Sequence, residues 1–157
     1  MGRKTWESLP AKFKPLPNRL NVILTRETKL EDANDENGLV QIYSEFDVAL
    51  ESLSKNPKVN EIFVIGGSTV YELALGKYSD YCKLVFLTRI NKQFEADCFM
   101  PKMDELKTFS KLFISKTYSH DDITFDYCFY GNTQILSKRP ELVPSRLMAK
   151  YPKHPEM

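Results

Sequence analysis

The sequence predicts an α/β domain with a mostly parallel sheet and an antiparallel C-terminal hairpin. Three observations carry this. Short apolar, β-rich runs at 19–25, 62–65 and 83–90 alternate with helical patterns at 46–53 and 68–75. Two further strand patterns, at 109–118 and 123–130, are joined by the polar turn "SHDD". The 157 residues suit one domain. A domain of this size hides roughly 68–70% of its unfolded surface, so a real core is expected.

The elements follow in order. "WESL" reads as a short helical stretch, with Arg3, Lys4 and Thr5 ahead of it. "RLNVILT" suits a buried strand, and "GLVQIYS" a shorter one with Val40 and Ile42 on one face. Ser44 and Asp47 form an S-x-x-D capping pattern before Phe46, Ala49, Leu50 and Leu53 at helical spacing. "NPK" stops that helix. Residues 62–65 form a short apolar strand that runs into Gly66 and Gly67. Ser68 and Thr69 are placed to cap the next helix, and Gly76 to end it. "KLVFLTRI" reads as a third buried strand. In "ITFDYCFY", Phe125, Tyr127 and Phe129 alternate with Thr124, Asp126 and Cys128, as in a half-buried strand.

From Gly131 the composition changes. Four of the nine prolines fall between Pro140 and Pro155, among Lys138, Arg139, Arg146, Lys150 and Lys153. Residues 131–157 read as a linker or extension that packs little core, so the domain is placed at 1–130. "EDANDENG" reads as a solvated acidic loop without ligand-loop spacing.

Composition removes several classes of function. The net charge of +1 gives no basic field for nucleic acid. No apolar run approaches a membrane span, and "MGRKTWESLP" carries neither a signal-peptide core nor a myristoylation pattern. Cys82, Cys98 and Cys128 are far apart and odd in number, and His120 and His154 stand away from them. That speaks against zinc and disulfides. Free, mostly buried thiols in a reducing, cytoplasmic setting are the expectation.

Three stretches carry chemistry. "VIGGST" ends a strand, and ligands of open α/β sheets bind beyond strand carboxyl ends. Gly66 and Gly67 let another backbone or a ligand approach closely, and the helix after them offers amides to an anion. The same residues also suit a tight strand-to-helix turn, since this is not a full G-x-G-x-x-G. Arg3 and Lys4 could meet a phosphate near a helix start, or be a solvated basic pair. Thr25 and Arg26 lie just past another strand, where a guanidinium fork suits a phosphate monoester. Two basic sites and a helix terminus suggest a dinucleotide with an extra phosphate.

"MGRKTWESLP", "KPLPNRLNVILTRE", "FVIGGSTVY" and "LTRI…FEADCFMP" stand in the order and spacing of the dihydrofolate reductases. The chain resembles that family from Met1 to about Tyr130. The resemblance implies a three-layer domain and hydride transfer from NADPH to dihydrofolate, giving tetrahydrofolate. It places Arg3, Lys4 and Thr5 at cofactor phosphate, and Leu24, Thr25 and Arg26 at the adenosine end, where Thr25 and Arg26 meet the 2′-phosphate. Gly66, Gly67, Ser68, Thr69 and Val70 would face pyrophosphate and nicotinamide. On the substrate side it implies Ser8, Leu9, Pro10 and Leu16 around the pterin and aminobenzoyl groups. Arg19 would pair with the glutamate carboxylate, the Ile65 carbonyl would meet the pterin edge, and Tyr71 would stand near both rings. Thr88 would orient the family's active-site carboxylate. Antifolate-like small molecules are implied ligands, and no metal is.

The sequence departs from the family pattern in one respect. The family opens with a central strand, a flexible loop bearing L-P-W and a helix carrying an Asp or Glu, and none of these stands in the sequence. Glu7 matches a position beyond that helix and is no substitute. The expectation is a fragment lacking its first strand and inactive alone. A nucleotide-binding remnant, or a reductase of riboflavin precursors, are the alternatives, and Arg19 and "LTRI" favour folate over the latter. The tail, with "HPEM", is similar to the junction in bifunctional reductase–thymidylate synthases, which implies a fused second enzyme and a homodimer.

Overall fold

The first strand, β1 (Asn21–Leu24), is buried at alternate residues. It pairs in parallel with β2 (Val40–Tyr43), with Ile23 opposite Ile42. This computed structural model describes residues 1–27, 38–151 and 153, so most of the acidic run and the "HPEM" segment lie outside the described residues. The chain divides into two compact units, Met1–Leu73 and Ala74–Met157.

In the first unit, helix α1 (Arg3–Ser8) includes Arg3, Lys4 and Thr5 in its first turn rather than following them. Trp6 anchors it, fully buried. Helix α2 (Phe46–Ser54) buries Ala49 and Leu53. Its N-cap is Glu45, not the expected Ser44, and the cap makes no side-chain bond. Helix α3 (Ser68–Leu75) ends before Gly76, as expected. The expected capping by Ser68 and Thr69 is not seen. Both lie inside the helix, and the Gly67 carbonyl accepts the Val70 and Tyr71 amides, both at 3.0 Å. Glycine serves at such a position because the carbonyl, not a side chain, starts the helix.

Residues 62–65 correct a second expectation. They belong to no strand, and Ile62, Phe63 and Ile65 are exposed. Apolar β-branched residues make a strand only where a neighbouring edge supplies a ladder. No described edge does so here. Among the described residues the parallel ladder is the β1–β2 pair, joined by one parallel bridge from Gly2 to Leu24, and the other ladders are antiparallel.

The second unit holds β3 (Leu84–Ile90), β4 (Phe109–Ile114), β5 (Tyr118–His120) and β6 (Ile123–Asn132). The order is β3-β6-β4, with β5 also on β6. The expected hairpin is present, turning at Asp121 with φ 51°, a conformation that aspartate tolerates. Phe129 is the hub of the core: its ring stacks on Phe113 at 5.2 Å and meets Phe86 edge-on at 5.1 Å. β6 is not half-buried as expected. Asp126, Cys128 and Tyr130 on its other face are buried, whereas Phe125 and Tyr127 on the expected face are only half-buried, because β3, β4 and the Met103 turn flank the strand. β3 is not a buried strand: among the described residues it is paired on one side only, and Phe86 and Ile90 are exposed.

β6 runs to Asn132, past the expected edge at 130. Asn132 then caps helix α4 (Thr133–Lys138), accepting from the Gln134 and Ile135 amides. Helix α5 (Ser145–Met148) buries none of its residues. Tyr151 lies 5.0 Å from the Tyr127 ring. All three cysteines are free, but Cys98 is exposed, since its segment joins no element. Among the described residues no helix is long and apolar enough to cross a membrane, and no cluster of metal-binding side chains occurs.

Candidate functional site

The site is built where the carboxyl end of β1 meets the starts of α1 and α3. The Met1 carbonyl accepts the Leu24 amide at 2.8 Å, and Gly2 bridges Leu24 in parallel. On its other side, the Gly2 amide donates to the Gly66 carbonyl at 2.8 Å. This one-strand link gathers Leu24, Thr25 and Arg26, the Arg3–Thr5 turn, and the glycines before α3. The three stretches that sequence spacing could not join therefore converge. Gly2 makes the link, and its signal in the sequence is a glycine just before a helix.

The two glycines differ in their reasons. Gly66 is buried with φ 96°, and a Cβ there would lie 3.0 Å from the Tyr71 ring. The fold itself demands glycine at this position. The bond to Gly67 is cis. At Gly67 a Cβ would meet only Thr5 Oγ1, at an ordinary 3.4 Å. Packing within the chain thus leaves room at Gly67, beside the start of α3. The Ser68 and Thr69 amides there have no partner among the described residues, as helix-opening amides do not. Free amides, the positive end of a helix and an unfilled glycine surface form a donor set that fits a phosphate or pyrophosphate.

The cations around this edge are unequal. Arg26 and Lys4 are exposed and without partners among the described residues. Arg3 is already engaged: its guanidinium meets Glu7 at 2.8 Å and Glu27 at 3.3 Å, which raises its pKa. Thr25 Oγ1 accepts the Glu27 amide at 3.1 Å, fixing the turn that carries Arg26.

A cavity of about 550 Å³ opens within the same unit. Of the expected residues, Leu16, Arg19, Leu24, Ile65 and Val70 line it. Ser8, Leu9 and Pro10 do not; Ser8 Oγ instead donates to the Thr5 carbonyl at 2.8 Å. Tyr71 is half-buried under Gly66. The loop bearing Leu16 and Arg19 is held by Asn21. Its side chain accepts the Leu16 amide and donates to the Leu16 and Arg19 carbonyls, each at 3.0 Å. An asparagine inside an apolar strand was the clue, because a buried amide requires partners.

In the second unit Thr88 lies on β3 opposite Tyr127, with its side chain exposed. Beside it stands a network unseen in the sequence. Arg89 Nη2 donates to the buried Asp126 carboxylate at 2.8 Å, and Cys128 Sγ donates to the same group at 3.3 Å. Burial first, then the neighbouring carboxylate, pushes the Cys128 thiol up to about 11. Tyr130 and Lys111 both reach Asp104, and the lysine holds that carboxyl below its usual range.

Comparison with known proteins adds the relationship. The dihydrofolate reductase family profile matches residues 1–133. The bifunctional dihydrofolate reductase-thymidylate synthase of Plasmodium berghei (strain Anka) is 38% identical over 145 residues, covering 90% of this chain and 24% of its own. That of Daucus carota is 39% identical over 145 residues, 90% of this chain and 26% of its own. The second bifunctional enzyme of Arabidopsis thaliana is 42% identical over 107 residues, 66% of this chain and 18% of its own. The chain thus spans about a quarter of the length of these relatives, or less.

Proposed function

Because this chain belongs to the dihydrofolate reductase family, we propose that it is the NADPH-holding part of a reductase acting on 7,8-dihydrofolate. The observation that carries this reading is the open Gly67 surface beside the unpartnered Ser68 and Thr69 amides, with Arg26 free at the neighbouring strand end. When bound, NADPH supplies the hydride that yields tetrahydrofolate.

The chain's own residues bind and orient. The Ser68 and Thr69 amides would hold the pyrophosphate at Gly67, with Val70 next to them in α3. Arg26, with Thr25 beside it and Leu24 beneath, takes the adenosine 2′-phosphate through a fork that matches a monoester. Lys4 and Thr5 serve the phosphates from the start of α1, and Arg3 adds charge from within its ion pairs. Arg19, at the cavity rim, pairs with a substrate carboxylate. The Ile65 carbonyl, free among the described residues, would accept from the pterin edge, and Tyr71, beside Gly66, would stand near both rings. Ser8, Leu9, Pro10 and Leu16 complete the substrate side. Thr88 orients a carboxylate that these residues do not supply. Reduction at C6 needs a proton at N5, so the chain binds the cofactor but is inactive alone.

The relatives' fusion to thymidylate synthase extends the reading: residues 131–157 lead toward a second enzyme, and the fused protein pairs as a homodimer. Titration of this chain with NADPH, followed by cofactor fluorescence, tests the proposal. Saturable binding that Gly67→Ala weakens, with stability unchanged, supports it. Absence of binding by the native chain overturns it.

A further inference from the structure

We propose that Glu27 sets the balance between a phosphorylated and an unphosphorylated cofactor, and that Arg3 acts on this choice by holding Glu27 rather than by gripping phosphate. This rests on the reading of Arg26 as the partner of the 2′-phosphate.

The backbone fixes Glu27 beside Arg26. The Thr25 amide donates to the Tyr43 carbonyl at 2.9 Å, so residue 25 is still tied to β2. The Glu27 amide donates back to Thr25 Oγ1 at 3.1 Å. The chain therefore turns at Arg26, and Glu27 stays at the end of β1. Its carboxylate meets Arg3 Nε at 3.3 Å, a contact from the strand end to the first turn of α1. The same guanidinium bonds Glu7 through Nη1 at 2.8 Å. A guanidinium has two edges with paired donors, Nε with Nη2 and Nη1 with Nη2. Each edge of Arg3 has one donor taken by a carboxylate, which closes the bidentate grip that suits a monoester. Arg26 has no partner among the described residues and keeps its fork open.

Charge gives these contacts a consequence. Arg3, Lys4 and Arg26 stand with two carboxylates, Glu7 and Glu27, which leaves the edge with one net positive charge. A phosphate monoester brings about −1.5 to −2 at neutral pH. A carboxylate one residue past Arg26 repels it. The 2′-hydroxyl of NADH meets no such penalty, because a carboxylate accepts from a hydroxyl. Arg3 stays charged at any working pH and offsets Glu27 at close range. Glu27 is thus the specificity-determining residue, and Arg3 the positioning residue that restrains it.

The test titrates NADPH and NADH, at low ionic strength, into the native chain, Glu27→Gln, Arg3→Gln and the double variant. The ion pair is exposed, so stability changes little in any of them. Glu27→Gln tightens NADPH roughly three- to tenfold and leaves NADH within about twofold. Arg3→Gln weakens NADPH by a similar factor. The double variant restores the net charge of the edge and brings NADPH back within about twofold of the native chain. At about 1 M salt, where the screening length is about 3 Å, these differences shrink. Two results overturn the proposal alone: NADPH binding that Glu27→Gln leaves unchanged or weakens, or a double variant as weak as Arg3→Gln, which would make Arg3 a direct phosphate ligand. A native chain that does not bind NADPH overturns the cofactor reading, and this inference with it.

Discussion

The Gly2 amide donates to the Gly66 carbonyl at 2.8 Å, so the glycine turn and the start of α1 are one hydrogen-bonded unit. Its two glycines answer differently to a methyl group. Gly66→Ala forces an alanine to φ 96° and drives its Cβ toward the Tyr71 ring. The expected loss is about 2–4 kcal/mol in urea unfolding, part from the backbone and part from crowding. Adding Tyr71→Leu restores only the crowding part. Gly67→Ala changes stability by less than about 1 kcal/mol, because its Cβ finds ordinary contact. Equal costs at the two positions would contradict this division.

Arg26→Ala is expected to weaken NADPH roughly 10- to 100-fold, the worth of a charge-assisted hydrogen bond of about 1.5–3 kcal/mol. NADH, lacking the 2′-phosphate, loses little. Parallel titrations with both cofactors check this, and an equal loss for both would refute the assignment.

Arg89→Ala leaves the Asp126 carboxylate, 2% exposed, without its cation. The guanidinium is about half exposed, which moderates the effect to about 1–3 kcal/mol. The double variant with Asp126→Asn is more stable than Arg89→Ala alone. A double-mutant cycle by thermal unfolding measures the coupling, and additivity would rule the pair out as a structural element.

Cys128 keeps its proton in the folded chain until about pH 11, whereas an unfolded thiol loses it near 8.5. Between those values the folded state binds more protons. The thiol's own contribution to stability is therefore complete below about pH 8.5 and is lost as pH rises, by about 2 kcal/mol across the window. Denaturation midpoints between pH 8 and roughly 10.5 should fall less steeply for Cys128→Ala than for the native chain. Identical slopes would remove the thiol as the cause.

The present chain is expected to show negligible dihydrofolate-dependent oxidation of NADPH, followed by absorbance. Turnover near that of a complete reductase would show that a carboxylate among these residues serves N5 after all.

Local pattern made the helices and the later strands legible, because helical spacing and strand alternation are properties of neighbours in sequence. The strand expected at residues 62–65 fails for the complementary reason: strand character there depends on an edge that composition cannot display. The expected caps fail because Glu45 and Gly67 begin their helices through backbone carbonyls, and Ser44 and Ser68 fit a cap by residue type alone. In the site, Gly66 and Gly67 were legible as a turn, but their different reasons depend on Tyr71 and Thr5 in three dimensions. The Arg89–Asp126–Cys128 group was invisible, since 37 residues separate the first two partners.

The Asn21 side chain has a consequence for Arg19. By acting as a substitute peptide group between strand and loop, it fixes the backbone that carries the guanidinium. The conformational entropy of that loop is then lost during folding rather than during association. The carboxylate proposed for Arg19 would meet a preorganised host, and Asn21→Ala is expected to weaken its binding without removing any group that touches it.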